Sequence, residues 1–173
     1  MEDCNEFIRN IHSDPKLHIL LERVGVEPIL SCRKCKDTGA EGKSRALLLN
    51  SPLEIVLCTN RLTKDHYQEA ITHELIHAFD FTTRRYDFST CEGLARSEVR
   101  AAREAECAKE IHFFGIKNRC IQRKATKSTE TLHPTNGEGC VRKVLFQAMR
   151  DLAPFDSLTP TPRDAAPHSP HSH

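Results

Sequence analysis

Apolar side chains recur at helical spacing in four segments of the chain. These segments are residues 5–24, 63–81, 92–114 and 138–152. Pro15 interrupts the first segment, Thr63 is a suitable N-cap for the second, and Gly115 is a suitable end for the third. The pattern therefore predicts that most of the chain is helical.

Two short apolar runs predict β-strands instead. Residues 46–49 and 54–58 are rich in leucine and β-branched side chains, and an Asn-Ser-Pro turn at 50–52 separates them. Residues 25–44 contain three glycines and a proline, so we expect this stretch to be irregular. The combination predicts an α+β fold, mostly helical with a small sheet.

Length and composition are those of one globular domain. The chain has 173 residues, of which 38% are hydrophobic and 28% are charged. Residues 154–173 are rich in proline, serine and histidine, so we predict a domain over 1–153 followed by a disordered tail.

A formal net charge of +1 gives no sign of a nucleic-acid partner, and none is expected. No apolar run approaches the roughly eighteen residues of a membrane span, and we expect neither a secretory signal nor a transit peptide.

The chain contains eight cysteines, which is many for its length. Their even number and wide spacing favour disulfides in an oxidising compartment. Cys32 and Cys35 form a C-x-x-C pair, but no second pair follows at zinc-ribbon spacing, so structural disulfides are their expected use. The mitochondrial intermembrane space would fit both the disulfides and the expected lack of a secretory signal.

Residues 73–77 read H-E-L-I-H on a predicted helix. His73 and His77 would lie one turn apart on one face, so both imidazoles can reach one zinc ion. Glu74 lies beside them and can take a proton from water activated by the metal. The alternative is a surface helix with two solvated histidines. The apolar residues of this helix occupy a separate arc, which favours the metal site.

A zinc site of this kind needs a third protein ligand, and Glu98 is the best candidate. Its neighbours on the next predicted helix are mostly alanines, which would allow the two helices to approach closely. A salt bridge from Glu98 to Arg100 or Arg103 is the alternative. Asp80 is the rival ligand, although it is equally suited to orient a zinc-bound histidine or to bind an arginine such as Arg84.

Several stretches together resemble a family of mitochondrial inner-membrane metalloproteases that mature a subunit of the ATP synthase membrane sector. The likeness extends from about Cys4 to Asp156. It rests on residues 55–60 (IVLCTN), 72–80 (THELIHAFD), 97–102 (SEVRAA), Cys120 with 123–125 (RKA) and Ser128, and 154–156 (PFD).

The resemblance implies a zinc endopeptidase, peripheral to the inner membrane on its intermembrane-space side, that also helps to assemble the ATP synthase membrane sector. It assigns His73 and His77 as metal ligands and Glu74 as the catalytic acid/base, whereas the assignment of Glu98 as the third ligand rests on the helix argument above.

Two alternative functions stay open. One is an assembly chaperone that does not need proteolysis, and the other is a nuclear or cytosolic adaptor of the Ku DNA-repair protein.

Two cysteines of the family pattern are missing here. Arg96 stands where relatives carry one, and residues 148–151 replace a segment that contains the other. We hypothesise that these two cysteines form a disulfide in relatives and that this chain has lost both of them, and with them the bridge.

The expected architecture is a zincin-like domain in which a short sheet packs on the catalytic helix. Its edge strand, expected at 54–58, would hold an extended peptide by β-augmentation. Tyr86 and His112 are candidates for stabilising the oxyanion.

Overall fold

The computed structural model describes residues 2–39, 41–42, 44–110 and 115–156. They form an α+β structure that is mostly helical. The helices are α1 (Glu2–Arg9), α2 (Pro15–Val24), α3 (Tyr67–Thr82), α4 (Cys91–Glu104), α5 (Ile116–Leu132) and α6 (Gly137–Arg150). The strands are β1 (Ile29–Arg33), β2 (Ala46–Asn50) and β3 (Leu53–Cys58). Short 3-10 helices at Ile11–Ser13 and Lys64–His66 precede α2 and α3.

The first predicted helix is two helices, and Pro15 marks the start of the second. Asp14 caps α2 by accepting hydrogen bonds from the backbone N–H groups of Lys16 and Leu17. Proline at the first helical position needs no N–H partner there. Gly25 ends α2 in the left-handed region, with a φ of 77°.

The sheet corrects the expected edge strand. The strand order is β1-β3-β2, with β1 parallel and β2 antiparallel to β3. Residues 54–58 therefore lie in the central strand, and β2 is an edge. The irregular stretch expected at 25–44 contains β1, which pairs with a strand more than twenty residues away (Ile29 with Glu54). The residues of β1 are exposed or half-buried without alternation, so the strand has no local periodicity to detect.

The helical half differs from the prediction in two places. The helix predicted over 92–114 ends at Glu104 and is followed by turns, and its last four positions, 111–114, lie outside the described residues. Helix α5 was not predicted, because its sequence is largely polar and it buries only Ile121, Ala125 and Thr129. These three residues recur at every fourth position, which is too narrow a stripe to stand out from sequence.

Of the three apolar cores among the described residues, the two larger ones lie on either side of the contact between α3 and α4. The first joins α2, the sheet and α3 through residues such as Leu20, Ile55 and Leu75. The second joins α4, α5 and α6 through residues such as Val99 and Val144. Polar side chains concentrate where the two cores meet.

All eight cysteines are paired, which confirms the expectation of structural disulfides. The bridges are Cys4–Cys32, Cys35–Cys58, Cys91–Cys140 and Cys107–Cys120. Cys32 and Cys35 of the C-x-x-C pair thus form disulfides with different cysteines. Near the places where we expect two further cysteines in relatives, Arg96 on α4 donates a hydrogen bond to Gln147 on α6 at 2.6 Å. The two elements therefore touch at the place where we hypothesise a bridge in relatives.

Within the described ranges, no helix is long and apolar enough to cross a membrane. Of the predicted tail, Pro154–Asp156 are described and the rest lies outside the described residues. The division into a domain and a tail stays a prediction.

Candidate metal centre

Helix α3 presents His73 and His77 on one face. It buries Ile71, Leu75 and Ile76 completely against the first core, which fixes the rotation of the helix about its axis. The two imidazoles then lie one turn apart on a different face. Their Nε2 atoms are 3.0 Å apart.

Glu98 reaches the same point from α4. Its carboxylate oxygens lie 3.5 Å from His73 Nε2 and 3.6 Å from His77 Nε2. Ala101, on the same helix, is fully buried in the first core, to which α3 belongs. This small side chain allows α3 and α4 to approach closely. The structure therefore brings together the three residues that the sequence nominated as ligands.

The donor set fits a small divalent cation. Around a tetrahedral ion with bonds of about 2.0–2.1 Å, neighbouring donors lie roughly 3.3 Å apart. The three donor atoms here are all within 4.8 Å of one another. Glu98 Oε2 is buried and has no hydrogen-bond partner among the described residues. A buried carboxylate oxygen without a partner is costly, and a bound cation would satisfy it.

A chain of hydrogen bonds orients His77. The Ser97 hydroxyl donates to Asp80 at 2.7 Å, so its oxygen can accept from Nδ1–H of His77 at 2.8 Å. Nε2 is then left unprotonated toward the metal position. Burial lowers the pKa of His77 to about 4, which keeps the imidazole neutral.

Asp80 is an orienting residue and not part of the candidate ligand set. It forms an ion pair with Arg100, and both side chains are fully buried. Burial raises the pKa of Asp80, and the Arg100 guanidinium opposes that rise. The expected partner Arg84 is therefore replaced by Arg100. Glu98 has no ion pair with Arg100 or Arg103, because the first binds Asp80 and the second binds Glu104.

His73 contacts a residue that sequence reasoning missed. Its Nδ1 lies 3.1 Å from Oε2 of Glu106, two residues beyond the end of α4. Burial opposes a charge on His73, but its hydrogen bond to Glu106 and the nearby carboxylate of Glu98 raise its pKa well above the ordinary value. The sequence did not identify Glu106 as a neighbour of His73, because it predicted a continuous helix through this position.

Glu74 is half-buried beside the three donors and lines an open cleft of about 400 Å³. Burial raises its pKa to about 7, against the effect of the His73 charge. A carboxyl group with this pKa can both accept and donate a proton near neutral pH.

Tyr86 and His112 were the two candidates for stabilising the oxyanion, and the structure describes only the first. Tyr86 donates its hydroxyl hydrogen to Asp151 and does not line the cleft, so its assignment is wrong. His112 lies outside the described residues.

Comparison with known proteins places these residues in a peptidase family. A family model described as "Peptidase M76 family" matches residues 3–156. A Danio rerio "Mitochondrial inner membrane protease ATP23 homolog" is 32% identical over 78% of this chain and 56% of its own length. The Homo sapiens homolog is 30% identical over 87% of this chain and 68% of its own length.

A Schizosaccharomyces pombe "Mitochondrial inner membrane protease atp23" is 34% identical over 60% of this chain. The chain spans 64% of that relative's length, so it matches only part of these curated proteins. No solved structure matches.

Removing the buried acid should destabilise the fold. Asp80→Ala removes the nearest acid from the fully buried Arg100 guanidinium and leaves it only the 3.7 Å contact with Asp151, so we expect the free energy of unfolding to fall by about 3–5 kcal/mol. Ser97→Ala removes a neutral hydroxyl from the same chain of hydrogen bonds and should cost about 1–3 kcal/mol. Urea denaturation of both variants with the disulfides intact measures the difference. Equal losses would contradict a dominant role for the ion pair.

Proposed function

The chain belongs to the peptidase M76 family, and from that premise we propose that it is a zinc-dependent metalloendopeptidase. In this proposal His73, His77 and Glu98 hold the metal and Glu74 is the catalytic acid/base. The observation that carries it is the convergence, beside Glu74, of two imidazole nitrogens and a buried carboxylate oxygen that has no hydrogen-bond partner among the described residues.

We also propose that the fold is zincin-like. The supporting features are a helix with the H-E-x-x-H pair, a glutamate on the following helix, and an antiparallel edge strand beside the cleft. Residues 1–153 would form this domain, and 154–173 would form the tail.

In the proposed reaction, Glu74 moves the proton. Zinc supplies Lewis-acid chemistry, which polarises a carbonyl and makes water a better nucleophile. Glu74 accepts the proton from the attacking water and then delivers it to the amine of the broken peptide bond. Ser97 and Asp80 keep the His77 ring in the tautomer that leaves Nε2 free.

The substrate would lie as an extended strand along β2. Among the described residues β2 pairs with β3 alone, and Ala46, Leu47 and Leu48 line the cleft. A peptide can add to such an edge through main-chain hydrogen bonds. Helix α5 provides the opposite wall, where Leu132 is 68% exposed. An apolar substrate side chain would cover this leucine.

For the biological substrate we propose a membrane-sector subunit of ATP synthase, cleaved by an enzyme peripheral to the inner membrane on its intermembrane-space side. The named relatives are mitochondrial inner membrane proteases, and the resemblance of the sequence motifs adds the ATP synthase and its assembly. Four disulfides support an oxidising compartment, which disfavours a nuclear or cytosolic Ku adaptor.

Loss of the third ligand should nearly abolish zinc binding. We expect Glu98→Ala to weaken zinc affinity by more than about 100-fold, beyond the loss typical of residues that only orient a ligand. Glu92→Ala is the matched control, because Glu92 lies on the same helix and pairs with Lys143 at the surface. Competition with a coloured chelator measures both affinities. Unchanged zinc binding in Glu98→Ala would show that the third ligand is elsewhere.

Glu74→Gln should separate metal binding from catalysis. It keeps the shape of the side chain but removes the base, so zinc content should remain one per chain while peptide cleavage falls by about 10²–10⁴-fold. Elemental analysis and a peptide-cleavage assay provide the two readings. In cells that lack the wild-type protein, assembly of ATP synthase by this variant would favour the chaperone role, and full peptidase activity would reject the mechanism.

The exposed leucine on α5 should determine substrate preference. Leu132→Asn is expected to lower kcat/KM about 10-fold for peptides with an apolar side chain at this position, since burying a leucine stabilises by about 1.5 kcal/mol. Peptides with a polar side chain there should change little. Phe146→Asn is the control, because Phe146 is 71% exposed on α6 and does not line the cleft. Parallel losses with both peptide classes would refute an apolar subsite.

A further inference from the structure

The two nitrogens of His73 face different acids. Nε2 points toward Glu98 and His77, where the metal would bind, at 3.5 Å from the nearer Glu98 oxygen. Nδ1, on the opposite edge of the ring, lies 3.1 Å from Glu106 Oε2. Glu106 therefore contacts the imidazole from the side away from the metal position and is not a candidate ligand.

The two oxygens of the Glu106 carboxylate have different neighbours. While Oε2 accepts from His73, Oε1 lies 3.9 Å from Nη2 of Arg45, and the side chain is 11% exposed. Arg45 also binds Glu69 of α3 at 2.8 Å. Since Arg45 directly precedes β2, this cation links Glu106 to both the edge strand and the histidine helix.

The backbone at Glu106 is anchored by a covalent bond. Cys107 is fully buried and forms a disulfide with Cys120 of α5. The Cys107 N–H also donates to the carbonyl of Ala102 at 2.9 Å. The position of Glu106 thus depends on α4, on α5 and on the bridge between them, although the residue lies in a turn.

We propose that Glu106 is a positioning residue that fixes the ring orientation and tautomer of His73. This inference rests on the proposed metal site. With Nδ1–H donated to a carboxylate, the lone pair of Nε2 is directed at the metal, and the anionic acceptor makes the imidazole a stronger ligand. His77 has the neutral hydroxyl of Ser97 in the equivalent place, so the two imidazoles would differ in donor strength.

The test compares Glu106→Ala and Glu106→Gln with Glu104→Ala. Glu104 lies two residues earlier, pairs with Lys16 and Arg103, and contacts neither histidine. Zinc dissociation constants are measured by chelator competition in each full-length variant. We expect Glu106→Ala to bind zinc about 10–100-fold more weakly. Glu106→Gln should recover part of this loss, because its amide oxygen still accepts from Nδ1–H. Glu104→Ala should stay within about twofold of wild type.

A second reading separates orientation from general stability. With Co²⁺ in place of zinc, visible absorption reports the ligand field. The spectrum should shift in both Glu106 variants and stay unchanged in Glu104→Ala. If Glu106→Ala does not fold, the glutamine variant carries the comparison.

The outcomes that overturn the inference are distinct from failure of the proposed function. Wild-type zinc affinity and an unchanged cobalt spectrum in the folded Glu106 variants would reject the positioning role alone. Equal weakening by Glu104→Ala would also reject it, because the effect would then be a general one. A wild-type chain that takes up no zinc would reject the proposed function and this inference together.

Discussion

The close packing of α3 against α4 is the constraint on which the rest of the structure depends. It joins the two apolar cores, and it places two histidines of one helix against a glutamate of the other. The fully buried pair of Asp80 and Arg100 crosses this contact. Because a buried ion pair tolerates little misplacement, it specifies how the helices are aligned, and through Ser97 it also sets the orientation of His77.

The electrostatic balance of the cleft favours a bound cation. Its described lining contains four glutamates and a single guanidinium, that of Arg45. The glutamates are Glu69, Glu74, Glu98 and Glu106. Concentrated negative charge in a partly buried site is unfavourable. A divalent ion would offset this excess and satisfy Glu98 Oε2, which is buried without a hydrogen-bond partner among the described residues. The same ion would also bind both imidazoles, whose Nε2 atoms lie 3.0 Å apart.

The disulfides tie elements that bury few side chains, such as α1, β1 and α5, to the rest of the fold. Cys4–Cys32 and Cys35–Cys58 tie the N-terminal helix and the short sheet together. Cys107–Cys120 connects the turn after α4 to α5, a helix that buries only three side chains. Covalent links of this kind replace packing that a small core does not supply. The Cys107–Cys120 disulfide also places Glu106 next to His73.

The sequence by itself determined what depends on near neighbours in the chain. Helical spacing alone places His73 and His77 on one face, and apolar runs predicted β2 and β3 to within a few residues. Of the small side chains around Glu98, Ala101 lies in the core shared with α3, as expected, whereas Ala95 and Ala102 pack in the second core. The tertiary structure decided what depends on distant contacts: the strand β1, the role of β2 as an edge, the polar helix α5, and Glu106. Each of these is stabilised by a partner far away in the chain, through parallel pairing, a narrow buried stripe or a disulfide. Local periodicity contains no record of such partners, because it reflects only which face of an element is buried.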